Sequence, residues 1–255
     1  MLTRGNGDNH LELLTVLQAR MSSKRFPGKV IADLNGAPMI LRQINRITKA
    51  QHIEKLVVAT STDQSDDILA DLLVSEGVEV FRGELGNVFS RFYELNQLHQ
   101  PKNIMRLTAD CPLVMPDLID EIIQYFNKNS FDYVSNTLVR MYPDGLDIEI
   151  FRAQILEELF LKNLTSEEME HVTLGIHSRP EEFHCQNFSN VTSKVSGRWT
   201  VDYPEDLKII RKIYSKFIGR EESFTFNEAR LAAVELGLYP RQTSIKNQNQ
   251  SKEDL

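Results

Sequence analysis

Short apolar segments of strand length alternate with longer amphipathic segments from residue 11 onward. A strand-length run followed by a helix-length run, repeated several times, is typical of successive βαβ units around a parallel sheet. The predicted strands are LELLTVL, KLVVAT, VEVF, NIMRLT and FDYVSN, and the predicted helices between them are PMILRQINRITKA, SDDILADLLVSEG, NVFSRFYELNQLH and PDLIDEIIQYFNKN. We therefore expect a doubly wound α/β fold, with a mostly parallel sheet and helices on both of its faces.

The pattern changes after Pro143. DGLDIEIF predicts a strand and AQILEELFLKN a helix, and an irregular segment over residues 165–195 is expected either to close over a site as a lid or to mediate dimer contacts. Residues 199–201 then predict a strand that returns to the sheet, and the helices PEDLKIIRKIYSKF and FNEARLAAVELG follow. We predict a single domain over residues 11–240, a disordered leader over residues 1–10 and a disordered tail over residues 241–255.

The charge balance argues against two classes of partner. The 255 residues carry a formal net charge of −7, so a broad attraction to nucleic acid or to an anionic membrane surface is not expected. No window of the sequence approaches the roughly 20 apolar residues of a membrane-spanning helix, and two cysteines are too few for a disulfide framework. We predict a cytoplasmic protein with no nucleic-acid partner and no membrane insertion, in which local positive charge binds any anionic ligand.

Four cationic residues follow the first predicted strand in one short loop. The segment LQARMSSKRFPGK contains Arg20, Lys24, Arg25 and Lys29, and in an open α/β sheet ligands bind at the carboxyl ends of the strands, where this loop lies. Backbone N–H groups of a Ser- and Gly-rich loop can hold phosphate oxygens while Arg and Lys neutralise them, so the loop predicts a triphosphate site. The alternative is a solvated basic loop. The spacing matches neither a P-loop nor a dinucleotide fingerprint.

Two aspartates from distant parts of the chain follow predicted strands. Asp110 comes after NIMRLT, and Asp202 comes after RWTV, just ahead of a helix that begins with a proline. We expect both to converge at the carboxyl edge of the sheet, opposite the basic loop. Mg²⁺ uses few protein ligands and takes the others from water and phosphate oxygens, so the pair predicts a Mg²⁺ site. The alternatives are a turn cap for Asp110 and a helix N-cap for Asp202.

Five further residues are candidates for ligand contacts. Asp147 and Glu149 are two apart in PDGLDIE, so on a strand they face the same side, where they are expected to bind sugar hydroxyls or else to form an exposed edge face. His171 in EHVT is a candidate substrate contact, with a structural role as the alternative. Arg82 and Gly83 in FRG follow the third predicted strand and are expected to contact the base or the phosphates.

Taken together, these motifs resemble those of the sugar-acid cytidylyltransferases, the family of the CMP-sialic acid and CMP-Kdo synthetases. LQARMSSKRFPGK is similar to the signature LxARxxSxRxPGK of that family, while FRG, RLTADCPL, PDGLDIE, EHVT and RWTVDYPEDL, in this order, resemble its SpsF-like branch of spore coat polysaccharide biosynthesis. The resemblance covers residues 11–239. It implies a nucleotide-diphospho-sugar transferase-like fold, CTP and an acidic sugar as substrates, Mg²⁺ as the cofactor and a homodimer. It assigns the nucleotide to Arg20, Ser23, Arg25 and Lys29, and the metal to Asp110 and Asp202.

The activity that the resemblance implies is transfer of CMP from CTP to an acidic sugar of the nonulosonic type, with release of pyrophosphate, for surface polysaccharide or glycan biosynthesis. The expected reaction is a direct in-line attack of a sugar hydroxyl on the α-phosphorus, with Lys29, Arg20 and Asp110 as catalytic residues. Two alternatives stay open, a glycosyltransferase of related nucleotide-sugar-binding fold and a non-catalytic nucleotide-binding protein. The TAD sequence at residues 108–110 is not the DxD motif typical of the first, and the intact charged site residues argue against the second.

Overall fold

Seven strands form one sheet in the computed structural model, which describes residues 11–238. In spatial order the sheet reads β3-β2-β1-β4-β6-β5-β7. The first four strands along the chain pair in parallel, β6 runs antiparallel to both of its neighbours, and β7 pairs in parallel with β5. The strands are β1 (Leu13–Gln18), β2 (Lys55–Ser61), β3 (Glu79–Gly83), β4 (Asn103–Thr108), β5 (Tyr133–Ser135), β6 (Glu149–Arg152) and β7 (Cys185–Asn187).

Three of the helices, α3, α6 and α9, begin at a residue whose side chain accepts from an N–H group of the first turn. Asn87 accepts from the N–H of Ser90 at the start of α3, and Thr165 and Thr225 form capping boxes with the glutamate three residues later. The helices are α1 (Met39–Ile47), α2 (Asp67–Ser75), α3 (Val88–His99), α4 (Pro116–Asn127), α5 (Ile155–Phe160), α6 (Ser166–Glu170), α7 (Leu174–His177), α8 (Pro204–Tyr214) and α9 (Phe226–Glu235).

Two apolar cores cover the two faces of the sheet, because buried side chains alternate along its strands. Leu13 and Leu17 of β1 pack on one face with α1, α4, α8 and α9. Leu14 and Val16 pack on the other face with α3, α5 and α7. The prediction of a mostly parallel sheet with helices on both faces is confirmed.

Two predictions about the second half of the chain are wrong. Residues 165–195 are not irregular throughout, since they contain the short elements α6, α7 and β7. Residues 199–201 are not a strand of the sheet. The N–H of Trp199 donates to the carbonyl of Asp144 (2.6 Å) and that of Val201 to the carbonyl of Asp110 (2.8 Å), so this extended segment hydrogen-bonds with loops at the carboxyl edge instead of with a neighbouring strand.

The described residues cover only part of the predictions about chain termini, membrane-spanning helices and domain bounds. The predicted leader (1–10) and tail (241–255) lie outside them. No helix within residues 11–238 has the length and apolar character needed to cross a bilayer. The single domain over residues 11–240 and the lid or dimer role of residues 165–195 stay predictions.

Candidate active site

A cleft of about 850 Å³ lies at the carboxyl edge of the sheet, where β1 and β4 end side by side. The loop after β1, the turn after β4, the end of α6 and the segment before α8 form its walls. Seven residues predicted from the sequence line it: Arg20, Ser23, Arg25, Lys29, Asp110, His171 and Asp202. The cleft therefore lies at the carboxyl edge of the sheet, where the sequence predicted a ligand site.

Hydrogen bonds donated by backbone N–H groups hold the basic loop in its shape. The carbonyl of Met21 accepts from the N–H of Ser23 (2.9 Å) and from that of Gly28 (2.9 Å). Gly28 has a φ of 72°, in the left-handed region that favours glycine. The hydroxyl of Ser23 accepts from the N–H of Phe26 (3.3 Å), and buried Asp66 accepts from that of Met21 (2.6 Å). These bonds fix the shape of the loop from which the cationic side chains extend.

Carboxylates across the cleft balance the charge of this loop. Arg20 Nη2 lies 2.8 Å from Glu170 Oε1, and Arg25 Nη2 lies 2.7 Å from Asp202 Oδ1. Glu170 was not among the predicted residues, although it is the first residue of the EHVT motif. Both arginine side chains are partly exposed, so an incoming anion can reach them from solvent.

Lys29 joins the two aspartates that the sequence separates by more than ninety positions. Its buried Nζ donates to Val201 O (2.6 Å) and lies 3.2 Å from Asp202 Oδ1 and 3.5 Å from Asp110 Oδ2. The structure thus brings Asp110 and Asp202 to one point, at the end of the basic loop.

Asp202 is not the cap of α8. The helix begins after Tyr203, and the carboxylate of Asp206 accepts from the N–H groups of Asp202 and Tyr203, both at 2.9 Å. The side chain of Asp202 instead contacts Arg198 Nη2 (2.6 Å) in addition to Arg25 and Lys29. Burial alone would raise the pKa of Asp202, but these cations outweigh it and lower the pKa. Asp202 is therefore an ionised carboxylate surrounded by positive charge.

The donor set at this point fits Mg²⁺. Asp110 Oδ1 accepts from Thr108 Oγ1 (2.7 Å) while Oδ2 faces Lys29. Residues 11–238 contain no group of three or more His, Cys, Asp or Glu residues placed to hold a metal ion. Two carboxylates beside a basic loop match an ion that takes most of its ligands from water and phosphate.

Asp147 and Glu149 do not share a strand face, because β6 begins only at Glu149. Asp147 lies in the preceding loop and binds Arg140 through both oxygens, at 2.8 Å and 3.1 Å. Arg140 also lies 3.3 Å from Asp144. Neither Asp147 nor Glu149 lines the described cleft. A sugar contact by Asp147 stays a prediction.

Glu149 lies in the core, and its predicted contact with sugar hydroxyls conflicts with this position. One oxygen pairs with Arg106 Nη1, and the other accepts from Tyr133 Oη (2.7 Å) and Thr173 Oγ1 (2.5 Å). Burial alone would raise the pKa of Glu149, but Arg106 and the two hydroxyls outweigh it and lower the pKa. The sequence offered one signal for this role, since Glu149 and Arg106 are charged residues inside apolar strands.

Arg82 and Gly83 end β3 and do not line the cleft. Arg82 donates to the carbonyl of Ser61 (2.8 Å) and to Asp67 Oδ1 (2.6 Å), which fixes it to the end of β2 and the start of α2. A Cβ atom at Gly83 would lie 2.6 Å from Cγ of Arg91, a buried residue of α3. The glycine is required for this close packing, and contacts of Arg82 and Gly83 with a nucleotide stay predictions.

Gly145 holds the segment that carries Asp202. It has a φ of 107°, and a Cβ atom there would lie 2.3 Å from N of Thr200 and 2.5 Å from C of Trp199. Because these are backbone atoms, the neighbouring segment cannot move away without breaking its bonds to Asp144. We expect Gly145→Ala to lower the free energy of unfolding by about 2–6 kcal/mol, as backbone strain and overpacking add. Urea denaturation measures this loss.

Gly77→Ala is the matched control for Gly145→Ala. Gly77 has a φ of 72°, but a Cβ atom there would meet nothing within 4 Å. Replacing Gly77 with alanine adds backbone strain only, so it should lower the free energy of unfolding by about 1–3 kcal/mol. Equal losses for the two variants would show that the close approach at Gly145 does not matter.

Comparison with known proteins gives a family for this arrangement. A sequence model of the family described as cytidylyltransferase matches residues 14–231. The spore coat polysaccharide biosynthesis protein SpsF of Bacillus subtilis is 33% identical over 213 residues, which cover 80% of this chain and 87% of SpsF.

Two solved structures show the same fold. A cytidylyltransferase from Leptospira borgpetersenii serovar Hardjo-bovis aligns with a TM-score of 0.85 and 26% identity, over 93% of this chain and all of that one. A CMP:2-keto-3-deoxy-manno-octonic acid synthetase complexed with CTP aligns with a TM-score of 0.62 and 16% identity, over 80% of this chain and 99% of that one. The second likeness shows the fold alone.

Proposed function

Because this chain belongs to the cytidylyltransferase family, we propose that it transfers CMP from CTP to an acidic sugar of the nonulosonic type and releases pyrophosphate. The observation that carries the proposal is the meeting of Asp110 and Asp202 at Lys29, the last residue of the basic loop. The choice of an acidic sugar rests on the resemblance of the sequence motifs to those of the sugar-acid cytidylyltransferases.

The proposed reaction needs no covalent enzyme intermediate. The sugar hydroxyl attacks the α-phosphorus, a new O–P bond forms, the bond to the β-phosphate oxygen breaks, and the hydroxyl proton passes to water. Mg²⁺ held by Asp110 and Asp202 would neutralise phosphate charge and lower the pKa of the attacking hydroxyl. This chain's own residues then act by positioning and electrostatics, which dominate phosphoryl transfer.

Binding of CTP would exchange the partners of the basic loop. Arg20 and Arg25 now pair with Glu170 and Asp202, and the triphosphate would replace those carboxylates. Lys29 is held closer to the aspartates and would meet the phosphates from their side of the cleft. The positive charges of Arg20, Arg25 and Lys29 would stabilise the leaving pyrophosphate.

A pyrophosphate-release assay tests the proposal directly. The four nucleoside triphosphates are each supplied with Mg²⁺ and with a panel of nonulosonic and 3-deoxy-octulosonic acids, and neutral hexoses serve as the control acceptors. We expect release only with CTP and a sugar acid, and none after chelation of the metal. Release with UTP or GTP alone would overturn the cytidylyl assignment, and release only with neutral hexoses would overturn the acidic acceptor. Hydrolysis of a finished nucleotide sugar without pyrophosphate would indicate a glycosyltransferase.

A further inference from the structure

Gln18 is the last residue of β1, and its side chain lines the cleft next to the basic loop. The amide oxygen Oε1 accepts from two nitrogens of Arg106, Nε at 3.3 Å and Nη2 at 3.2 Å. A guanidinium only donates hydrogen bonds, so the oxygen of the amide must be the end that faces Arg106. The orientation of this amide is thereby fixed.

A chain of buried contacts holds Arg106 in place. Its third nitrogen, Nη1, pairs with Glu149, and each of these side chains is only 10% exposed. Glu149 in turn accepts from Tyr133 on β5 and from Thr173, two residues after His171. Gln18 is thus connected by hydrogen bonds, through two buried charges, to the segment that also contributes Glu170 and His171 to the cleft.

The other end of the amide has a different environment. Within residues 11–238 the nitrogen Nε2 of Gln18 has no hydrogen-bond partner, while Arg106 and Glu149 have partners for their charged ends. An amide nitrogen can donate two hydrogen bonds and accepts none. A ligand that forms a hydrogen bond with this nitrogen must therefore present an acceptor to it, either an oxygen or an unprotonated ring nitrogen.

We infer that Gln18 is a substrate-binding residue, whose Nε2 donates to an oxygen of the bound nucleotide or of the sugar acid. Arg106 and Glu149 position it and do not touch the substrate themselves. The inference rests on the proposed function for the identity of those substrates, but the hydrogen-bond donor follows from the geometry of Gln18 alone. A fixed donor binds without the cost of ordering a free side chain.

The test is Gln18→Glu, which keeps an oxygen for Arg106 and replaces only the donating end. We expect kcat/KM to fall by about 10- to 100-fold, the range for loss of a hydrogen bond to a charged group, with little change in the melting temperature. Gln18→Met has similar length and adds no charge, but it removes the acceptor for Arg106 together with the donor, and its kcat/KM is expected to fall as well. If the methionine variant keeps wild-type kcat/KM, the loss in Gln18→Glu is charge repulsion and the inference is overturned.

Two binding titrations separate the possible partners of Gln18. Calorimetric titration with CTP alone and with the sugar acid in the presence of a non-reacting CTP analogue needs no turnover. Weaker binding of CTP by both variants assigns the hydrogen bond to the nucleotide, and weaker binding of the sugar acid alone assigns it to the acceptor. Unchanged affinity in both titrations overturns the inference. A wild-type chain that binds both ligands without releasing pyrophosphate would contradict the proposed function and leave the assignment of Gln18 to be decided by these affinities.

Discussion

Replacing Asp202 with asparagine is expected to lower kcat by about 10²- to 10³-fold, the usual cost of removing one group that stabilises charge in the transition state. The carboxylate now contacts Arg25, Lys29 and Arg198. Asparagine has nearly the same shape but no charge, so it weakens the proposed Mg²⁺ site and leaves the surrounding cations less balanced. The measurement is the rate of pyrophosphate release at saturating CTP, over a series of Mg²⁺ concentrations.

Asp71→Asn is the control for this change. Asp71 is an exposed residue of α2, so its substitution removes the same charge away from the cleft and should leave kcat unchanged. If Asp202 binds the metal, Asp202→Asn should also need more Mg²⁺ for half of its maximal rate. A variant with wild-type kcat at saturating Mg²⁺ would show that Asp202 is not a ligand.

The sequence was most informative where a local pattern determines the position of a residue. A parallel sheet brings the carboxyl ends of its strands to one edge, so residues that follow strands meet there even when they are far apart in the chain. This rule predicted the meeting of Asp110 with the basic loop. It also predicted Asp202, although for a partly wrong reason, because the segment before Asp202 is not a strand of the sheet.

Partners that lie far apart in the sequence could not be predicted in the same way. Arg82 and Glu149 belong to motifs that resemble those of the SpsF-like branch, yet the first donates to the end of β2 and the start of α2, and the second lies in the core. Period-two alternation predicts which face of a strand a residue occupies but not which side chain it meets there. The register that places Arg106 opposite Glu149 becomes evident only after β6 has paired with β4.

A large effect on stability is also expected at that buried pair. We expect Glu149→Gln to lower the free energy of unfolding by about 3–5 kcal/mol, because removal of one partner leaves the charge of Arg106 buried and uncompensated. For a chain of this size the melting temperature should fall by about 6–20 °C. The amide also places N–H groups where Tyr133 and Thr173 now donate to a carboxylate. Thermal and urea unfolding followed by circular dichroism measure the loss.

Glu12→Gln provides the control, because Glu12 pairs with Lys102 on the surface and each side chain is 57% exposed. Its substitution should change the free energy of unfolding by at most about 1 kcal/mol.

The stability contributed by Glu149 depends on pH. The pKa of Glu149 is lowered in the folded chain, so its ionised form stabilises the fold above the ordinary glutamate pKa of about 4.3. This contribution is lost as pH falls towards the lowered value. The difference in free energy of unfolding between the wild type and Glu149→Gln should therefore become smaller below about pH 4. If Glu149→Gln lowers the free energy of unfolding at pH 7 no more than Glu12→Gln does, Arg106 finds other partners. The buried pair then does not hold Gln18 rigidly.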